Sequence, residues 1–170
     1  QKKINGAVYD FPTTMVTAIE NCKSSGVHGN CTWIMAYPGE ALEHLKTSVA
    51  FILWQQSFWT KGETPGTEEY NMLKSGVNKK MFTATAYPGT EMWRSVRPKL
   101  AEHFDISFDD AGEPVCDDSF HNYVLELDDA TKVLNDKDGN PVNFGDMPLD
   151  TFLQAREHID SGQIEKILDM

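Results

Sequence analysis

Residues 31–45 have the sequence CTWIMAYPGEALEHL, in which an apolar run stops at a Tyr-Pro-Gly turn and a helical pattern begins at once. This order predicts a strand, a tight turn and a helix. Residues 81–96, MFTATAYPGTEMWRSV, repeat the arrangement, and Ala-Tyr-Pro-Gly is identical in both copies. Two such units predict parallel strands joined by crossover helices. Because ligands bind at the carboxyl ends of strands in such sheets, we expect a functional site at the two turns.

The charges of the chain are unevenly distributed. The 170 residues are 40% apolar and 24% charged, as in ordinary soluble globular proteins, and the net charge is −11. Residues 1–100 contain 11 Lys and Arg against 8 Asp and Glu, whereas residues 101–170 contain 4 against 18. We therefore predict two parts, residues 1–105 and an acidic extension of residues 106–170. Because the acidic extension repels phosphate backbones, we expect no nucleic-acid partner.

The sequence shows no membrane or export signal. No apolar run approaches the roughly 18 residues that span a bilayer, and no basic segment precedes a signal-type core. The three cysteines, Cys22, Cys31 and Cys116, are too few and too scattered for a disulfide framework, which favours reduced thiols. We therefore predict a cytoplasmic protein without a membrane partner. The sequence opens with Gln1 rather than Met, and we expect it to come from a longer parent protein.

Hydrophobic periodicity and turn residues predict the elements of the first part. They are a strand or extended lead-in at Gly6–Phe11, a helix from Thr13 that ends at Gly26, a strand from Cys31, a long helix from Ala41, a short helix from Thr67 to Leu73, a strand at Lys80–Ala86 and a helix after Thr90 that Pro98 divides. The end of the long helix carries a heavy aromatic load, FILWQQSFW at residues 51–59. That load exceeds what a two-strand core can bury.

The acidic extension has a different pattern. Two similar segments, FDDAGEPV at residues 108–115 and NDKDGNPV at residues 135–142, predict hairpin turns with glycine in the left-handed conformation. Between them, His121–Leu127 is predicted to form a strand. The segment Pro148–Ile167 is predicted to be a helix that Gly162 interrupts.

No motif for metal binding or covalent catalysis emerges from the sequence. EF-hand spacing around DKDGN at residues 136–140 would place Leu134 at the first ligand position and Gly145 at the twelfth, and neither side chain binds calcium. The potential ligands in CDDSFH at residues 116–121 match no structural zinc spacing. No histidine has an identifiable Ser or Cys partner. The sequence therefore predicts no metal ligand and no catalytic residue in this chain.

Residues 11–105 resemble the second half of the barrel of radical S-adenosylmethionine (SAM) enzymes, in the group related to methylthiotransferases and to cobalamin-dependent methylases and cyclases. The motifs that carry the resemblance are, in order, CKSSGV, MAYPGE, LKTSVAF and ATAYPGTEMW. The family shows GYPGET and then PYPGT at the two turns, so Ala36 stands where glycine is usual and Ala86 where proline is usual. The resemblance implies half of a TIM-type barrel, whose fifth and sixth strands are present here.

The resemblance also implies a cofactor site. In the family, the carboxyl ends of the fifth and sixth strands flank the adenine of S-adenosylmethionine. The matching positions here are Met35, Ala36, Tyr37, Ala86, Tyr87 and Pro88. The family's CxxxCxxC loop, which binds a [4Fe-4S] cluster, would lie upstream of Gln1, so the cluster is not expected to be bound by this chain.

Three function hypotheses follow, and one of them is a purely structural oligomerisation fragment. The first is the carboxyl-terminal part of a radical SAM enzyme whose parent cleaves S-adenosylmethionine reductively and transfers methyl or sulfur groups or cyclises a small-molecule substrate, with this part inactive alone. The second is a non-catalytic α/β domain that binds a small ligand or a partner at its two turns. A strand that has lost its upstream neighbour leaves an open edge. Together with the aromatic load, this favours a homodimer through the exposed barrel edge.

Overall fold

The computed structural model describes residues 2–4, 7–128 and 132–170, with side chains from residue 10 onward within those ranges. The elements are, in chain order, β1 (Lys2–Ile4), β2 (Ala7–Tyr9), α1 (Thr13–Ser24), β3 (Trp33–Met35), α2 (Leu42–Thr60), α3 (Glu68–Ser75), β4 (Met81–Thr83), α4 (Glu91–Ser95), α5 (Arg97–Phe104), α6 (Asp118–Leu125), a 3-10 turn (Glu126–Asp128), α7 (Leu149–Asp160) and a second 3-10 helix (Ile164–Asp169). No helix in the described ranges has the length and apolar character needed to cross a bilayer.

Strands β3 and β4 form a parallel pair. Trp33 lies opposite Met81 and Met35 opposite Thr83, and the N–H of Ala84 donates to the carbonyl of Met35 at 2.8 Å beyond the last pair. The prediction of neighbouring parallel strands, with both Tyr-Pro-Gly turns at the same end, is therefore confirmed. A half-barrel stays a prediction, because the parallel sheet in the described residues has two strands.

The two Tyr-Pro-Gly turns have the same backbone geometry. The carbonyl of Tyr37 accepts from the N–H of Glu40 at 2.8 Å, and the carbonyl of Tyr87 accepts from the N–H of Thr90 at 3.2 Å. In each turn the glycine has φ near +85° (88° and 83°), as the third residue of a type II turn requires after proline. The hydroxyl of Thr90 then accepts from the N–H of Trp93 and begins α4. The repeated letters thus encode a repeated turn.

Most of the predicted helices form where they were expected. Helix α1 is followed by Gly26 in the left-handed conformation, α3 begins behind the cap Thr67, and α4 and α5 are two helices that meet just before Pro98. In the extension, α7 and the 3-10 helix that follows it are separated at Gly162, as predicted. Of the predicted lead-in, Gly6 lies outside the described residues and β2 covers Ala7–Tyr9.

The predicted strand at His121–Leu127 is wrong, because this segment belongs to α6 and the 3-10 turn after it. The carboxylate of Asp117 accepts from the N–H of Phe120 at 3.0 Å and so begins the helix. Phe120, Tyr123 and Leu127 recur at helical spacing and pack on one hydrophobic core. In a helix these three side chains lie on one face and can all contact that core. In a strand, successive side chains alternate between two faces, so the three could not all contact it.

The two hairpin turns of the acidic extension are confirmed. Each is closed by a single antiparallel bridge, Phe108 with Pro114 and Asn135 with Pro141. Their glycines, Gly112 and Gly139, have φ of 77° and 82°. Left-handed geometry of this kind is what glycine adopts most readily, so the shared Gly-x-Pro-Val pattern reports a shared turn.

The acidic extension packs into both hydrophobic cores of the chain. In the first core, Phe152 of α7 and Ile164 of the last 3-10 helix are buried together with the inner faces of β3 and α2. In the second core, Tyr123 of α6 and Phe144 are buried against α4 and α5. Residues 1–105 therefore share their interior with the extension.

The aromatic end of α2 packs largely within the chain itself. Phe51 and Trp59 are buried in the first core, and Trp54 and Phe58 are half-buried against it. Their rings form a ladder, with centroids 5.0 Å apart for Phe51 and Trp54 and 5.3 Å apart for Trp54 and Phe58. The aromatic load therefore does not by itself require a second chain, and the homodimer stays a prediction.

Candidate functional site

A groove opens at the carboxyl end of the parallel pair and encloses about 440 Å³. We call it the turn groove. Its lining combines the outer sheet face, the second turn and the start of α4: Ile34, Tyr37, Phe82, Thr83, Ala84, Thr85, Tyr87, Thr90, Glu91 and Met92. Its volume lies within the range of small-molecule pockets, which is roughly 300–1,000 Å³.

Two of the six predicted site residues line this groove. Tyr37 and Tyr87 contribute one side chain from each turn, and each is 44% exposed. Met35, Ala36 and Ala86 are completely buried, and Pro88 is exposed without lining the groove. The structure thus brings the two tyrosines together and leaves the buried residues only their backbone atoms to offer a ligand.

The floor of the turn groove is a sheet face without a cover in the described part of the chain. Ile34 and Phe82 are paired in register on that face, and Ile34 is 57% exposed although it lies in the middle of a strand. The opposite face of the same strand, with Trp33 and Met35, is buried. An apolar floor beside two tyrosine rings suits a flat ligand with an apolar face.

One buried polar atom next to the groove has no partner among the described residues. Thr83 is only 5% exposed, and its hydroxyl forms no hydrogen bond among the described residues. The neighbouring Thr85 bonds with its own hydroxyl to the carbonyl of Thr83 at 3.1 Å. Thr83 is paired with Met35 on the buried face of the sheet, so its hydroxyl points away from the exposed face that forms the groove floor.

The carboxylate of Glu40 organises the first turn from inside. It accepts from the backbone N–H groups of Ala36 and Tyr37. Ala36 has φ of 63°, a left-handed conformation that glycine adopts more easily, and the carboxylate holds its N–H in that conformation. Burial raises the pKa of Glu40 above its ordinary value, and the two N–H donors and nearby His44 offset part of that rise.

The substitution Glu40→Gln is expected to change how stability depends on pH. Because the folded pKa is raised, the folded chain keeps the Glu40 proton at pH values where the unfolded chain has lost it. The stability contributed by the protonated carboxyl is therefore lost as pH rises from the ordinary glutamate value through the folded pKa. Because glutamine does not titrate, the stability of the Glu40→Gln variant relative to the native chain should increase across that pH window and then level off.

Urea unfolding of both proteins from about pH 4 to pH 7 measures this difference, since the ordinary glutamate pKa is about 4.3. The variant Glu43→Gln removes an exposed carboxylate of α2 and controls for the change in net charge. A difference that is constant with pH, or that favours the native chain as pH rises, would contradict the assignment.

The acidic extension holds the first turn from outside. The N–H of Gly39 donates to Asp146 Oδ1 at 3.3 Å, and the N–H of Asp146 donates to the carbonyl of Glu40 at 2.9 Å. Gly145 lies against Ala36. The ammonium of Lys99 donates to the carbonyls of residues 143, 144 and 145 at 3.1, 3.1 and 3.4 Å, and so fixes the loop that makes these contacts.

Replacing Gly145 with alanine is expected to lower the free energy of unfolding by about 1–3 kcal/mol. The added Cβ would lie 3.1 Å from the Cα of Ala36 and 3.2 Å from the carbonyl oxygen of Glu40, and neither backbone atom can turn aside as a flexible side chain can. Thermal or urea unfolding followed by circular dichroism measures the loss. A variant as stable as the native chain would show that the loop does not press on the turn.

A buried hydrogen bond supports the second turn. The hydroxyl of Tyr123 in α6 donates to the carbonyl of Ala86 at 2.8 Å, directly before Tyr87. Burial, more than the nearby Tyr87, raises the pKa of Tyr123. Sequence reasoning missed Tyr123, Asp146 and Lys99, because these residues lie far along the chain from the turns that they contact. Their sequence contexts carry no signal that would have revealed these contacts.

The described residues contain no cluster of three His, Cys, Asp or Glu side chains that could hold a metal ion. Cys22, Cys31 and Cys116 are all free thiols. Burial, with a smaller contribution from Cys22, raises the pKa of the Cys31 thiol, which disfavours the thiolate form that binds metals.

In comparisons with known proteins, no family model, no curated protein and no solved structure matches the chain.

Proposed function

We propose that this chain is the carboxyl-terminal part of a radical SAM enzyme and that the turn groove receives the adenine end of S-adenosylmethionine. The main support for the proposal is that Tyr37 and Tyr87 line the same groove. The two residues belong to similar turns, which lie at the same end of a pair of parallel strands. Aromatic side chains stack on nucleobases, and the exposed apolar floor at Ile34 can contact the face of a bound base.

The residues fit the two cofactors of this enzyme class differently. The turn groove has a size and lining that suit a nucleoside. The free thiols do not fit a [4Fe-4S] cluster, which needs several closely placed cysteines. The proposal therefore assigns the cluster, the reductive cleavage and the small-molecule substrate to the parent enzyme and gives this chain a binding role. It also places the protein in the cytoplasm, where free thiols stay reduced.

Titration of the chain with S-adenosylmethionine, followed by two-dimensional amide NMR, tests this function. Chemical-shift changes are expected at residues 34–40 and 82–92. The variants Tyr37→Ala and Tyr87→Ala should each weaken binding by about tenfold, since base stacking contributes about 1–3 kcal/mol per aromatic ring. Tyr70→Ala, which removes a half-buried tyrosine of α3 outside the groove, should leave the affinity unchanged.

Adenosine and methionine as separate ligands sharpen the test. Adenosine should compete with S-adenosylmethionine for the turn groove, and methionine should not. Shifts caused by methionine alone, or equal weakening by Tyr70→Ala, would contradict the adenine assignment.

A second candidate function is a non-catalytic α/β domain that binds another small ligand or a partner at the same place. The exposed sheet face around Ile34 favours it, because such a face can take many apolar ligands or a protein surface. The substitution Ile34→Asp should then abolish partner binding while Tyr37→Ala has little effect. The nucleoside function predicts instead that Tyr37→Ala weakens binding by about tenfold, so the effect of Tyr37→Ala distinguishes the two functions.

A further inference from the structure

A second groove lies at the opposite end of the parallel sheet from the two turns, next to the amino-terminal end of β4. We call it the lysine groove; it is a shallow depression, open to solvent, with a volume of about 570 Å³. Its lining includes three lysines and three side-chain amides: Lys74, Lys79, Lys80, Gln56, Asn71 and Asn78. No carboxylate lines it, although acidic residues outnumber basic ones in the chain by 26 to 15.

The backbone that carries two of these lysines is fixed by Asn30. The side chain of Asn30 donates to the carbonyl of Gly76 at 3.0 Å and accepts from the N–H of Asn78 at 3.0 Å. The side chain of Asn78 in turn accepts from the N–H of Lys80 at 3.0 Å. Because residues 76–80 are held in this way before any ligand arrives, little backbone entropy is lost on binding.

The positive charges of the lysine groove are not neutralised in the described part of the chain. Lys74, Lys79 and Lys80 form no ion pair there, whereas Lys132 and Lys137 do. Lys74 lies in the last turn of α3, where the helix dipole favours a cation, and this explains why an unpaired lysine is found at that position. Lys79 and Lys80 lie outside any helix, so a helix dipole does not explain why they are unpaired. They place two further positive charges at a groove that an anion can reach.

We propose that the lysine groove binds the phosphate group of a small phosphorylated molecule. Lysine ammonium groups are common phosphate ligands, and the groove volume lies in the small-molecule range of roughly 300–1,000 Å³. The net charge of −11 opposes the long phosphate backbone of a nucleic acid. This site is separate from the turn groove and does not depend on the function proposed for it.

Amide NMR titration with inorganic pyrophosphate tests the site at low ionic strength. Saturable shifts are expected at residues 74–80. The variants Lys79→Gln and Lys80→Gln should each raise the Kd by about two- to fivefold, as expected for one partly exposed charge pair. Lys79→Arg should restore native affinity. Lys166→Gln removes an equal charge from an exposed position in the last 3-10 helix and should leave the Kd unchanged.

Three results would overturn the proposal. The first is equal weakening by Lys166→Gln, because binding would then follow net charge rather than this groove. The second is a set of shifts without saturation or centred on the two turns. The third is binding to phosphatidylglycerol vesicles or a short RNA in the absence of saturable pyrophosphate shifts, which would indicate a charged macromolecular surface. Amide spectra of each variant without ligand verify that it is folded.

Discussion

Replacing Phe152 with alanine is expected to lower the free energy of unfolding by about 3–5 kcal/mol. The side chain is 0% exposed and lies in the first core, where α7 of the acidic extension meets α2 and β3. Its removal leaves a cavity between elements that are far apart in the sequence, and the surrounding side chains can only partly fill it. The loss should therefore appear in the unfolding of the whole chain and not of the extension alone.

The variant Leu153→Ala is a matched control on the same helix. Leu153 is 37% exposed, so its truncation should cost less than about 1 kcal/mol. Urea unfolding followed by both tryptophan fluorescence and far-ultraviolet circular dichroism measures the two variants, because the four tryptophans all lie in residues 33–93. A Phe152→Ala transition that circular dichroism detects and tryptophan fluorescence does not would show that the extension folds independently.

The sequence was most informative where backbone chemistry is local. Proline followed by glycine has few allowed turns, so the two Tyr-Pro-Gly segments predicted both the tight turns and the parallel pair of strands that precedes them. The same holds for the two hairpin turns of the extension, where glycine occupies a left-handed position. In these places the residues that determine the structure lie within four positions of each other.

Prediction failed where tertiary packing determines the outcome. The strand predicted at His121–Leu127 is a helix because Tyr123 is buried in a core to which α4, α5 and residues from outside the helices contribute. The aromatic end of α2 suggested a missing partner, but Phe51 and Trp59 are covered within the chain itself. In both cases the residues that pack against the segment are distant from it in the sequence, and its local pattern does not predict them.

The candidate site likewise combines locally determined features, which the sequence predicted, with long-range contacts, which it did not. Tyr37 and Tyr87 could be placed from their turns, and the structure brings them to one groove. The contacts that fix those turns could not be placed, since Asp146 and Tyr123 reach them from the acidic extension. The acidic extension therefore supplies hydrogen bonds that hold both turns in place.

Replacing Arg156 with methionine is expected to lower the free energy of unfolding by about 2–4 kcal/mol. Arg156 lies in α7, is almost completely buried and donates through Nη1 to the carbonyl of Met81 at 2.7 Å. Met81 is the first residue of β4 and is itself buried, so without the guanidinium its carbonyl oxygen would lose its partner in a dry environment. Methionine keeps most of the volume and the apolar stem, which separates the lost hydrogen bond from lost packing.

The ion pair of Arg156 provides the control. Its guanidinium also binds Asp160, with Nε 3.0 Å from Oδ2 and Nη2 2.5 Å from Oδ1, but the Asp160 side chain is largely exposed. Because solvent screens such pairs, Asp160→Asn should cost no more than about 1 kcal/mol. Urea unfolding in low and high salt distinguishes the two contributions, since the Arg156→Met loss should persist in salt. Equal losses for the two variants, both reduced by salt, would show that Arg156 stabilises α7 through its ion pair and does not hold the end of β4.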